Sequence, residues 1–544
     1  MSARQARTAG FIALVGALLL VALVRGWTAV EGLQWPWDAD HFRNIANAVT
    51  FKDGGVLSDA HYSGVPAWYS PLTSALLATG SFLTRMPVHR LGTQAGAVLN
   101  LLTPLALCWL AARWFGRRVA VLALVAYLFV IGTASYPPWA VATYTPWLFV
   151  NVYGVGVFLL ALAAIPAALD RGTARDALVL GGAAGVTFLV HPALAVLLAA
   201  VVSGQFLERC RHASRPVIGR LVRTAGTSLA TALVVSAPFW LPIMVRYQWR
   251  VANDAPGDFT WSELQASNVW GFLRDFLLRW PILVIAVGLP LWILGRRRSR
   301  SAGPTLDTGA SIVATWTVVS FLGLLLAAYR NDAGLDHLPI SDTPAHHYLL
   351  AFSVALCIWF AVALDTIIRV LLRRWSALAV AAVAIGITAG SVPGWRNRSD
   401  FVAGRSVAQA TAAQFDHFAV VSWIRAHTKD DDIFLNYRAG PWNDVMLPGT
   451  AGRKSVAINL GEFSNPFVDF DARQEDATRM LSAVRDCRLG RFERLARPYG
   501  RVRYVISETG ASVTSSCPDR IPTVYRDSAV TIQRINPPGR AASA

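Results

Sequence analysis

The chain has 544 residues, of which 54% are hydrophobic and 15% are charged, and its mean hydropathy is +0.42. A soluble domain normally carries about 25% charged residues, so this composition excludes an ordinary soluble protein and predicts that most of the chain lies in lipid. The net charge of +17 comes largely from arginines in short runs between apolar segments. Because the polar tail has no basic stripe with interleaved aromatic residues, we expect no nucleic-acid partner.

Membrane spans are predicted from apolar runs, since a spanning helix needs about 20 mostly apolar residues. The first run follows Arg4 and Arg7 and has no convincing signal-peptide cleavage site after it, so we interpret it as an uncleaved span. His191-Pro192 divides two short runs, which form either two spans or one broken helix. By this rule we predict about eleven spans: 9–26, 93–112, 119–136, 147–168, 177–190, 193–207, 224–245, 277–295, 311–329, 348–371 and 376–393.

The orientation follows from the basic residues in the loops, because Lys and Arg favour the cytoplasmic side. With the N-terminus inside and the C-terminus outside, every predicted inside loop is basic: 113–118, 170–175, 208–223, 296–300 and 369–374. The apolar segment 66–83 must then not cross the membrane. We predict that it lies at the outer interface or re-enters the bilayer, anchored by Trp68 and Tyr69.

The chain changes character after Pro393, where charge rises and the long apolar runs stop. The pattern predicts helices at Phe415 to Thr428 and Arg473 to Arg485, and strands at 432–436, 455–458, 503–506 and 529–534. The predicted fold is therefore a polytopic α-helical membrane domain (1–394, first outside loop 27–92), a small extracytoplasmic α/β domain (395–535) and a disordered tail (536–544). Cys487 and Cys517 are either a disulfide or two unpaired thiols.

The first outside loop contains the stretch Trp35-Pro-Trp-Asp-Ala-Asp-His-Phe-Arg43, directly after the first span. In one interpretation, Asp40 caps a helix that runs from His41 to Val49. In the other, Asp40 or Asp38 is a general base for an acceptor hydroxyl or a ligand of a divalent cation.

Histidines and an arginine flank other predicted outer ends of spans. Adjacent residues on a helix point about 100° apart, so His346 and His347 rarely bind one metal together; they are either interfacial polar residues or contacts for a phosphate at a helix N-terminus. Arg330 faces the same loop. His191 precedes Pro192, which most simply starts the next helix. His191 is a further candidate site residue, as are His41 and Tyr69 of the first outside loop.

The layout resembles the GT-C class of integral membrane glycosyltransferases, which use polyprenyl-phosphate-linked sugars. The matching features are the acidic motif in the first outside loop, Tyr69-Ser-Pro71-Leu72 (similar to a Tyr-Pro-Pro-Leu segment before span two) and Ala111-Ala-Arg-Trp-Phe-Gly-Arg-Arg118 after that span. The last is similar to the basic turn of lipid A aminoarabinose transferases and protein O-mannosyltransferases. The resemblance implies an inverting transfer, with Asp40, or secondly Asp38, as base and Arg43, Arg330, His346 and His347 as donor-phosphate contacts.

The oligosaccharyltransferase branch of this class is a more distant match. Asp38-Ala-Asp40-His-Phe-Arg43 is similar to its first acidic motif, and 440–445 lies where that branch carries Trp-Trp-Asp-Tyr-Gly, without the second Trp or the Tyr-Gly pair. The loop from Ser135 to Trp147 contains no acid, so the second metal-binding carboxylate pair is absent. We therefore expect a metal-independent monosaccharide transferase without a cofactor.

The favoured function is transfer of a hexose or pentose from a polyprenyl-phosphate donor to an envelope glycan, glycolipid or protein. The reaction would occur on the outer face of a bacterial cytoplasmic membrane. The alternatives are a transporter or flippase of lipid-linked sugars and an envelope scaffold. Transporters usually carry ionisable residues near the bilayer midplane, whereas the predicted spans are nearly free of charge at their centres.

Overall fold

The structure is a computed structural model that is predominantly helical, with one small sheet. It describes residues 2–36, 39–55, 57–131, 139–211, 213–248, 250, 252, 274, 279–298, 304–329, 344–372, 375–403, 418–438, 446–458 and 464–536. By their contacts, the residues form two compact units. The first, here the helical unit, comprises Met1–Glu31, Gln94–Ala237 and Gly257–Ser406; the second, here the mixed unit, comprises Gly32–Thr93, Pro238–Pro256 and Val407–Ala544.

The helices are numbered in chain order. They are α1 Ala3–Val30, α2 Ala39–Lys52, α3 Pro71–Thr84, α4 Val88–Gln94, α5 Gly96–Leu99, α6 Leu102–Phe115, α7 Arg117–Val125, α8 Val150–Leu162, α9 Ala174–Val190, α10 Pro192–Cys210, α11 Arg215–Tyr247, α12 Trp280–Arg298, α13 Pro304–Tyr329, α14 Ala345–Leu371, α15 Ser376–Ala403, α16 Phe418–His427, α17 Met446–Ala451, α18 Phe470–Arg485 and α19 Leu489–Ala496. π-helical turns continue α7 at Ala126–Val130 and follow α8 at Ala167–Arg171.

Among the described residues, seven helical segments are long and apolar enough to cross a membrane: Thr8–Val30, Val88–Phe115, Val150–Arg171, Pro192–Cys210, Arg215–Tyr247, Asp307–Ala328 and Ala345–Leu371. The chain is thus a multi-pass membrane protein. Two shorter apolar helices, Trp280–Arg296 and Ala377–Gly390, coincide with two further predicted spans. The remaining two predicted spans correspond to α7 and α9, which have 9 and 17 residues. The count of eleven remains a prediction.

The two short runs around His191-Pro192 form a helical hairpin. The helix breaks at His191, whose backbone is extended (φ −157°, ψ 117°), and Pro192 begins α10. The far ends of the two helices meet again, because Arg209 Nε at the end of α10 lies 2.8 Å from Asp170 Oδ1 just before α9. Two antiparallel helices, rather than one kinked helix, therefore occupy 174–210.

The predicted inside loops gather at one end of the helical unit. Arg117, at the start of α7, donates a 2.9 Å hydrogen bond to Thr8 of α1. Arg118 lies 3.4 Å from Asp365 near the end of α14, and Asp365 also pairs with Arg369 one turn later. Inside loops must lie at the same end of the helical unit if successive spans cross the membrane in alternating directions. Which side of the membrane this end faces remains a prediction.

A five-stranded sheet forms the centre of the mixed unit, in the order β2-β1-β3-β5-β4. The strands are β1 Asp432–Tyr437, β2 Lys454–Ser455, β3 Arg501–Glu508, β4 Thr523–Arg526 and β5 Val530–Arg534. β1 is parallel to β2 and β3, whereas β5 is antiparallel to β3 and β4. The predicted strands are confirmed, although β2 is only two residues long; β4 was not predicted.

Alternating side chains give this sheet two hydrophobic faces. Ile433 and Leu435 point to the face covered by α18 and α19, whereas Phe434 points to the face covered by α16 and α17. Trp35, Phe42 and Tyr62 of the first loop are buried in the same cluster as Phe434. Residues 32–93 therefore belong to the mixed unit, whereas the sequence-based boundary at 394 kept them with the membrane domain.

The C-terminal part of the mixed unit is cross-linked. Cys487 and Cys517 form a disulfide with Cα atoms 5.7 Å apart, which decides between the two states that the sequence left open. The apolar segment 66–83 within the first outside loop contains most of α3, which at 14 residues is too short to span a bilayer. Its Phe82 and Leu83 are 77% and 74% exposed, as expected of a helix with an apolar outer face, although its membrane position is still a prediction.

Candidate functional site

α2 carries the acidic motif in its first turn. The helix begins at Ala39, so Asp40 lies inside it and is not the N-cap; the capping interpretation is therefore wrong. A carboxylate in the first turn is still stabilised by the positive end of the helix dipole. Asp38, the second candidate base, lies outside the described residues.

Asp40, Arg43 and Tyr69 form one hydrogen-bonded group, here the acidic triad. Arg43 Nη2 lies 2.5 Å from Asp40 Oδ1 and donates a 2.8 Å hydrogen bond to the Tyr69 hydroxyl. The guanidinium also lies over the Tyr69 ring, 3.8 Å from its centre. The Arg43 side chain is 9% exposed and that of Asp40 is 30% exposed, so the carboxylate is accessible while its partner is held in place.

Tyr69 keeps its proton in this environment. Burial raises the pKa of its hydroxyl above 10.0, and the negative charge of Asp40 raises the pKa further, whereas Arg43 lowers it. The net pKa is raised, so the hydroxyl accepts from Arg43 and retains a hydrogen of its own near neutral pH.

The other aromatic and histidine side chains of the motif that the structure describes are buried. His41 is 1% exposed, and Trp35 is 2% exposed. The Trp35 indole stacks on His89 with ring centres 4.1 Å apart and on Phe42 at 6.2 Å. These contacts hold α2 against its neighbours within the mixed unit, and His41 stays a candidate without a demonstrated role.

Three histidines that are distant in sequence meet in the helical unit, here the histidine cluster. The His191 and His347 rings are 4.4 Å apart, and those of His346 and His347 are 4.1 Å apart. Trp139 meets His346 edge-on at 4.8 Å. The His346-His347 pair begins α14 after Pro344, where the helix terminus favours anions. Arg330 lies outside the described residues.

A metal site does not form from these groups. In the described ranges, no three His, Cys, Asp or Glu side chains are arranged to hold a metal ion. The rings of the histidine cluster are tilted by 56° (His191 and His347) and 50° (His346 and His347) to one another. The position of the His346-His347 pair at a helix N-terminus suits contact with an anion.

A further buried polar group, here the Asp59 cluster, connects the first outside loop with residues 454–465 of the mixed unit. Asp59 Oδ1 accepts hydrogen bonds from the backbone amides of His61 (2.7 Å) and Tyr62 (3.0 Å). Its Oδ2 accepts from Asn465 Nδ2 at 3.1 Å, and Lys454 Nζ donates to the Asp59 carbonyl at 2.7 Å. The Tyr62 hydroxyl is 2.9 Å from the hydroxyl of Ser464.

Electrostatics keep Asp59 ionised although it is 2% exposed. Burial by itself raises its pKa, but the hydrogen bonds and charge of His61 and the Tyr62 amide lower it, and the net pKa lies below the ordinary 3.8. Burial lowers the pKa of Lys454, and the Asp59 charge opposes that shift. Sequence reasoning missed this group because its members lie about 400 positions apart.

Comparison with solved structures identifies the fold of the chain. ArnT from Cupriavidus metallidurans matches in its apo state with a TM-score of 0.56 over 98% of both chains, at 14% sequence identity. Its structure bound to undecaprenyl phosphate matches with a TM-score of 0.55 over 96% of this chain and 98% of that chain, also at 14% identity. The chain has the GT-C fold.

A second GT-C match is the arabinofuranosyltransferase AftD from Mycobacteria. Its R1389S mutant gives a TM-score of 0.54 at 12% identity, over 96% of this chain and 42% of that chain. No family model and no curated protein matches the sequence. The GT-C resemblance inferred from the first loop and the basic turn is thus confirmed as a fold. Which residues of this GT-C fold act in catalysis remains a prediction.

Proposed function

We propose that this chain is a membrane glycosyltransferase that moves a sugar from a polyprenyl-phosphate donor to a cell-envelope acceptor. The observation that carries the proposal is the GT-C fold, which matches ArnT over nearly the full length of both chains. One of those ArnT structures is bound to undecaprenyl phosphate. An accessible carboxylate on the helix that follows the first span supplies the chemistry that such a transfer needs.

Asp40 is the proposed general base. Its carboxylate takes the proton of the acceptor hydroxyl while that oxygen attacks the anomeric carbon of the donor sugar. The bond from this carbon to the phosphate oxygen breaks, polyprenyl phosphate leaves, and the configuration at the carbon inverts. Arg43 and Tyr69 orient the carboxylate, because the ion pair and the hydrogen bond through Arg43 restrict its rotation.

The donor phosphate is assigned to cationic and hydrogen-bonding groups of the predicted outer side. These are His346 and His347 with Arg330, and secondarily Arg43, whose present partners are Asp40 and Tyr69. Support comes from the histidine cluster at the start of α14, where a helix N-terminus favours an anion. His191 supports the orientation of the His347 ring.

The proposed location is the outer face of a bacterial cytoplasmic membrane, with the mixed unit's C-terminal domain outside. The disulfide between Cys487 and Cys517 supports an oxidising compartment for that domain. The arginines at the basic end of the helical unit suit the cytoplasmic side. We propose that the transfer needs no metal, since the acidic triad already pairs its carboxylate with an arginine.

The test is sugar transfer in membranes that contain the protein and a pool of synthetic polyprenyl-phosphate sugars. Wild type is compared with Asp40→Asn and Asp38→Asn, and with Asp53→Asn as a matched control, since Asp53 is an exposed acid just after α2. Loss of a positioned base lowers the rate by roughly 10²–10⁴. A parallel reaction with EDTA should proceed at the same rate as the untreated one.

The outcomes separate the hypotheses. Loss of transfer in Asp40→Asn alone supports Asp40 as the base, whereas loss in Asp38→Asn alone moves the role to Asp38. Transfer that survives both changes removes the first loop from the chemistry. Absence of transfer from every donor, together with movement of a fluorescent lipid-linked sugar across proteoliposomes, would replace the transferase proposal with the flippase alternative.

A further inference from the structure

Four arginines surround a shallow pocket on the C-terminal part of the mixed unit. The pocket has a volume of about 660 Å³, and its lining includes Arg488, Arg491, Arg494 and Arg520, with Gly490 between the first two. We call it the arginine pocket. None of the groups assigned to sugar transfer belongs to it, so an inference about it does not rest on the proposed function.

Helix geometry explains why three of these side chains converge. α19 buries a stripe formed by Leu489, Phe492 and Ala496. Arg488, Arg491 and Arg494 are spaced by three, and with about 100° per residue they form one row on the helix surface that runs from beside that stripe to the side facing away from it. Glu493 falls on the opposite flank.

The disulfide brings the fourth arginine to the pocket. Cys487 directly precedes Arg488, and its partner Cys517 directly precedes the 3₁₀ turn Pro518–Arg520. The amide of Arg520 donates a 3.0 Å hydrogen bond to the carbonyl of Cys517, which closes that turn. The cross-link therefore fixes two chain segments that each deliver positive charge, and Cys487 itself lines the pocket.

The positive charge of the pocket is not neutralised within the described part of the chain. None of its four guanidinium groups makes an ion pair with a described carboxylate, and all four side chains are exposed. Other arginines of the same unit are paired, such as Arg453 with Asp430 at 2.8 Å and Arg501 with Asp432 at 2.7 Å. Like charges held together destabilise a compact structure, so we expect an anionic partner to bind this group of arginines.

We propose that the arginine pocket binds phosphate or carboxylate groups of an anionic polymer. Guanidinium groups hold these oxyanions with two parallel hydrogen bonds, which gives arginine an advantage over lysine at such sites. The N-terminus of α19 adds amide dipoles of the same sign. Several arginines in one pocket can engage successive charged groups of one chain.

A polymer is a better partner than a membrane surface for this face. Proteins that lie on a bilayer combine basic residues with exposed Trp, Phe or Leu side chains that enter the lipid. The exposed large hydrophobic residues all precede residue 418, so the described side chains of the C-terminal domain offer no such anchor. The exposed arginines of α19 are accompanied only by a buried apolar stripe.

The test uses the full-length protein in nanodiscs of zwitterionic lipid, with long-chain polyphosphate and polyglutamate as probes. Arg491→Gln combined with Arg494→Gln should weaken binding of at least one probe by about tenfold or more. Arg485→Gln combined with Arg497→Gln removes the same charge from outside the pocket lining and should weaken it less than about threefold. The preferred probe distinguishes phosphate from carboxylate recognition.

A second pair of variants separates charge from shape. A Cβ at Gly490 meets nothing within 4 Å, so Gly490→Ala should bind as wild type, whereas Gly490→Glu adds a carboxylate and should reduce binding about as much as the double arginine variant. Cys517→Ser should also weaken binding, because Arg520 is then no longer held to the helix. An unchanged thermal transition in the glycine variants shows that folding is intact.

Three results would overturn the proposal. Gly490→Glu could bind as tightly as Gly490→Ala, or the charge-matched control pair could weaken binding as much as the pocket pair, which would reduce the effect to net charge. Vesicles containing phosphatidylglycerol could also bind through the same arginines more tightly than either polymer. That last result would make the pocket a membrane contact.

Discussion

The Nη2 atom of Arg43 lies 2.5 Å from the Oδ1 atom of Asp40, one helical turn away on α2. The same nitrogen donates to the hydroxyl of Tyr69, which comes from the segment just before α3. A base that must meet an acceptor hydroxyl benefits when its orientation is fixed before substrate arrives. Arg43 therefore supports Asp40 in the proposed reaction, and Tyr69 supports Arg43.

Tyr69→Phe should lower kcat for sugar transfer by about 10-fold while leaving KM for the donor within about twofold. The change removes one hydrogen bond to a charged group, worth about 1.5–3 kcal/mol, and keeps the ring beneath the guanidinium. Steady-state kinetics with a fixed donor measure both constants. The control is Tyr437→Phe, because Tyr437 lies at the end of β1, away from the triad.

The hypothesis that Tyr69 acts through Arg43 leads to a second prediction. Arg43→Lys should lose at least as much activity as Tyr69→Phe, since an ammonium cannot hold both partners with the geometry of a guanidinium. Adding Tyr69→Phe to Arg43→Lys should then cost little more. Full additivity of the two changes would contradict a shared role.

Local sequence patterns predicted the elements well. The strands β1, β3 and β5 have alternating or continuous apolar residues of ordinary strand length, and the structure contains each of them. β4, at Thr523–Arg526, has only four residues and no fully buried side chain, so its pattern did not distinguish it from a loop. The contact between Asp40 and Arg43 was not predicted, although an i, i+3 spacing on a helix permits it, because Arg43 was assigned to the donor phosphate.

Long-range relationships were not predictable from one sequence. Tyr62 and Ser464 are 402 positions apart, and nothing local to either indicates the 2.9 Å contact of their hydroxyls. Trp35 and Phe42 follow the first predicted span, and nothing local to them indicates that they are buried in the sheet's hydrophobic cluster. Likewise, the meeting of His191 with His347 follows from the hairpin at Pro192, which the sequence left open.

His347→Asn should raise KM for a polyprenyl-phosphate sugar by about 10-fold with a smaller change in kcat. The expected effect corresponds to loss of one charge-assisted contact with phosphate in the ground state, about 1.5 kcal/mol. His191→Asn should also raise KM for this donor, but by a smaller factor, because His191 contacts the His347 ring and is only a supporting residue.

The matched control for the histidine cluster is His427→Asn, an exposed histidine of α16. Its KM should equal that of wild type. A drop in kcat without a rise in KM for His347→Asn would move this residue from donor binding to the chemical step. Kinetics across a donor concentration series decide between the two.

Asp59→Asn should destabilise the protein at neutral pH and have less effect in acid. The folded pKa of Asp59 lies below its ordinary 3.8, so its ionisation contributes stability above that value. The contribution is lost as the pH falls below 3.8 toward the folded pKa. The loss at about pH 7 should be about 1–3 kcal/mol, as for hydrogen bonds to a buried charge.

Thermal melts of wild type and Asp59→Asn in nanodiscs, at a series of pH values, measure this contribution. The gap in Tm should be widest near neutrality and should close below the ordinary pKa of 3.8. Glu493→Gln, which changes an exposed acid of α19, should leave Tm nearly unchanged. A gap that widens in acid would have the wrong sign for a depressed carboxyl pKa.

Gly449→Ala tests the packing of α17 against α2, the helix that carries Asp40. A Cβ at Gly449 would lie 2.8 Å from the carbonyl oxygen of Phe42, a backbone atom that cannot rotate away. Alanine improves helix propensity by up to about 1 kcal/mol, but overpacking of this kind costs about 1–3 kcal/mol. We therefore expect a lower Tm, and reduced sugar transfer because α2 shifts. Gly490→Ala, at a position that faces open space, should raise or maintain Tm. Equal Tm values for Gly449→Ala and wild type would mean that α2 can shift to accommodate the added Cβ without loss of stability.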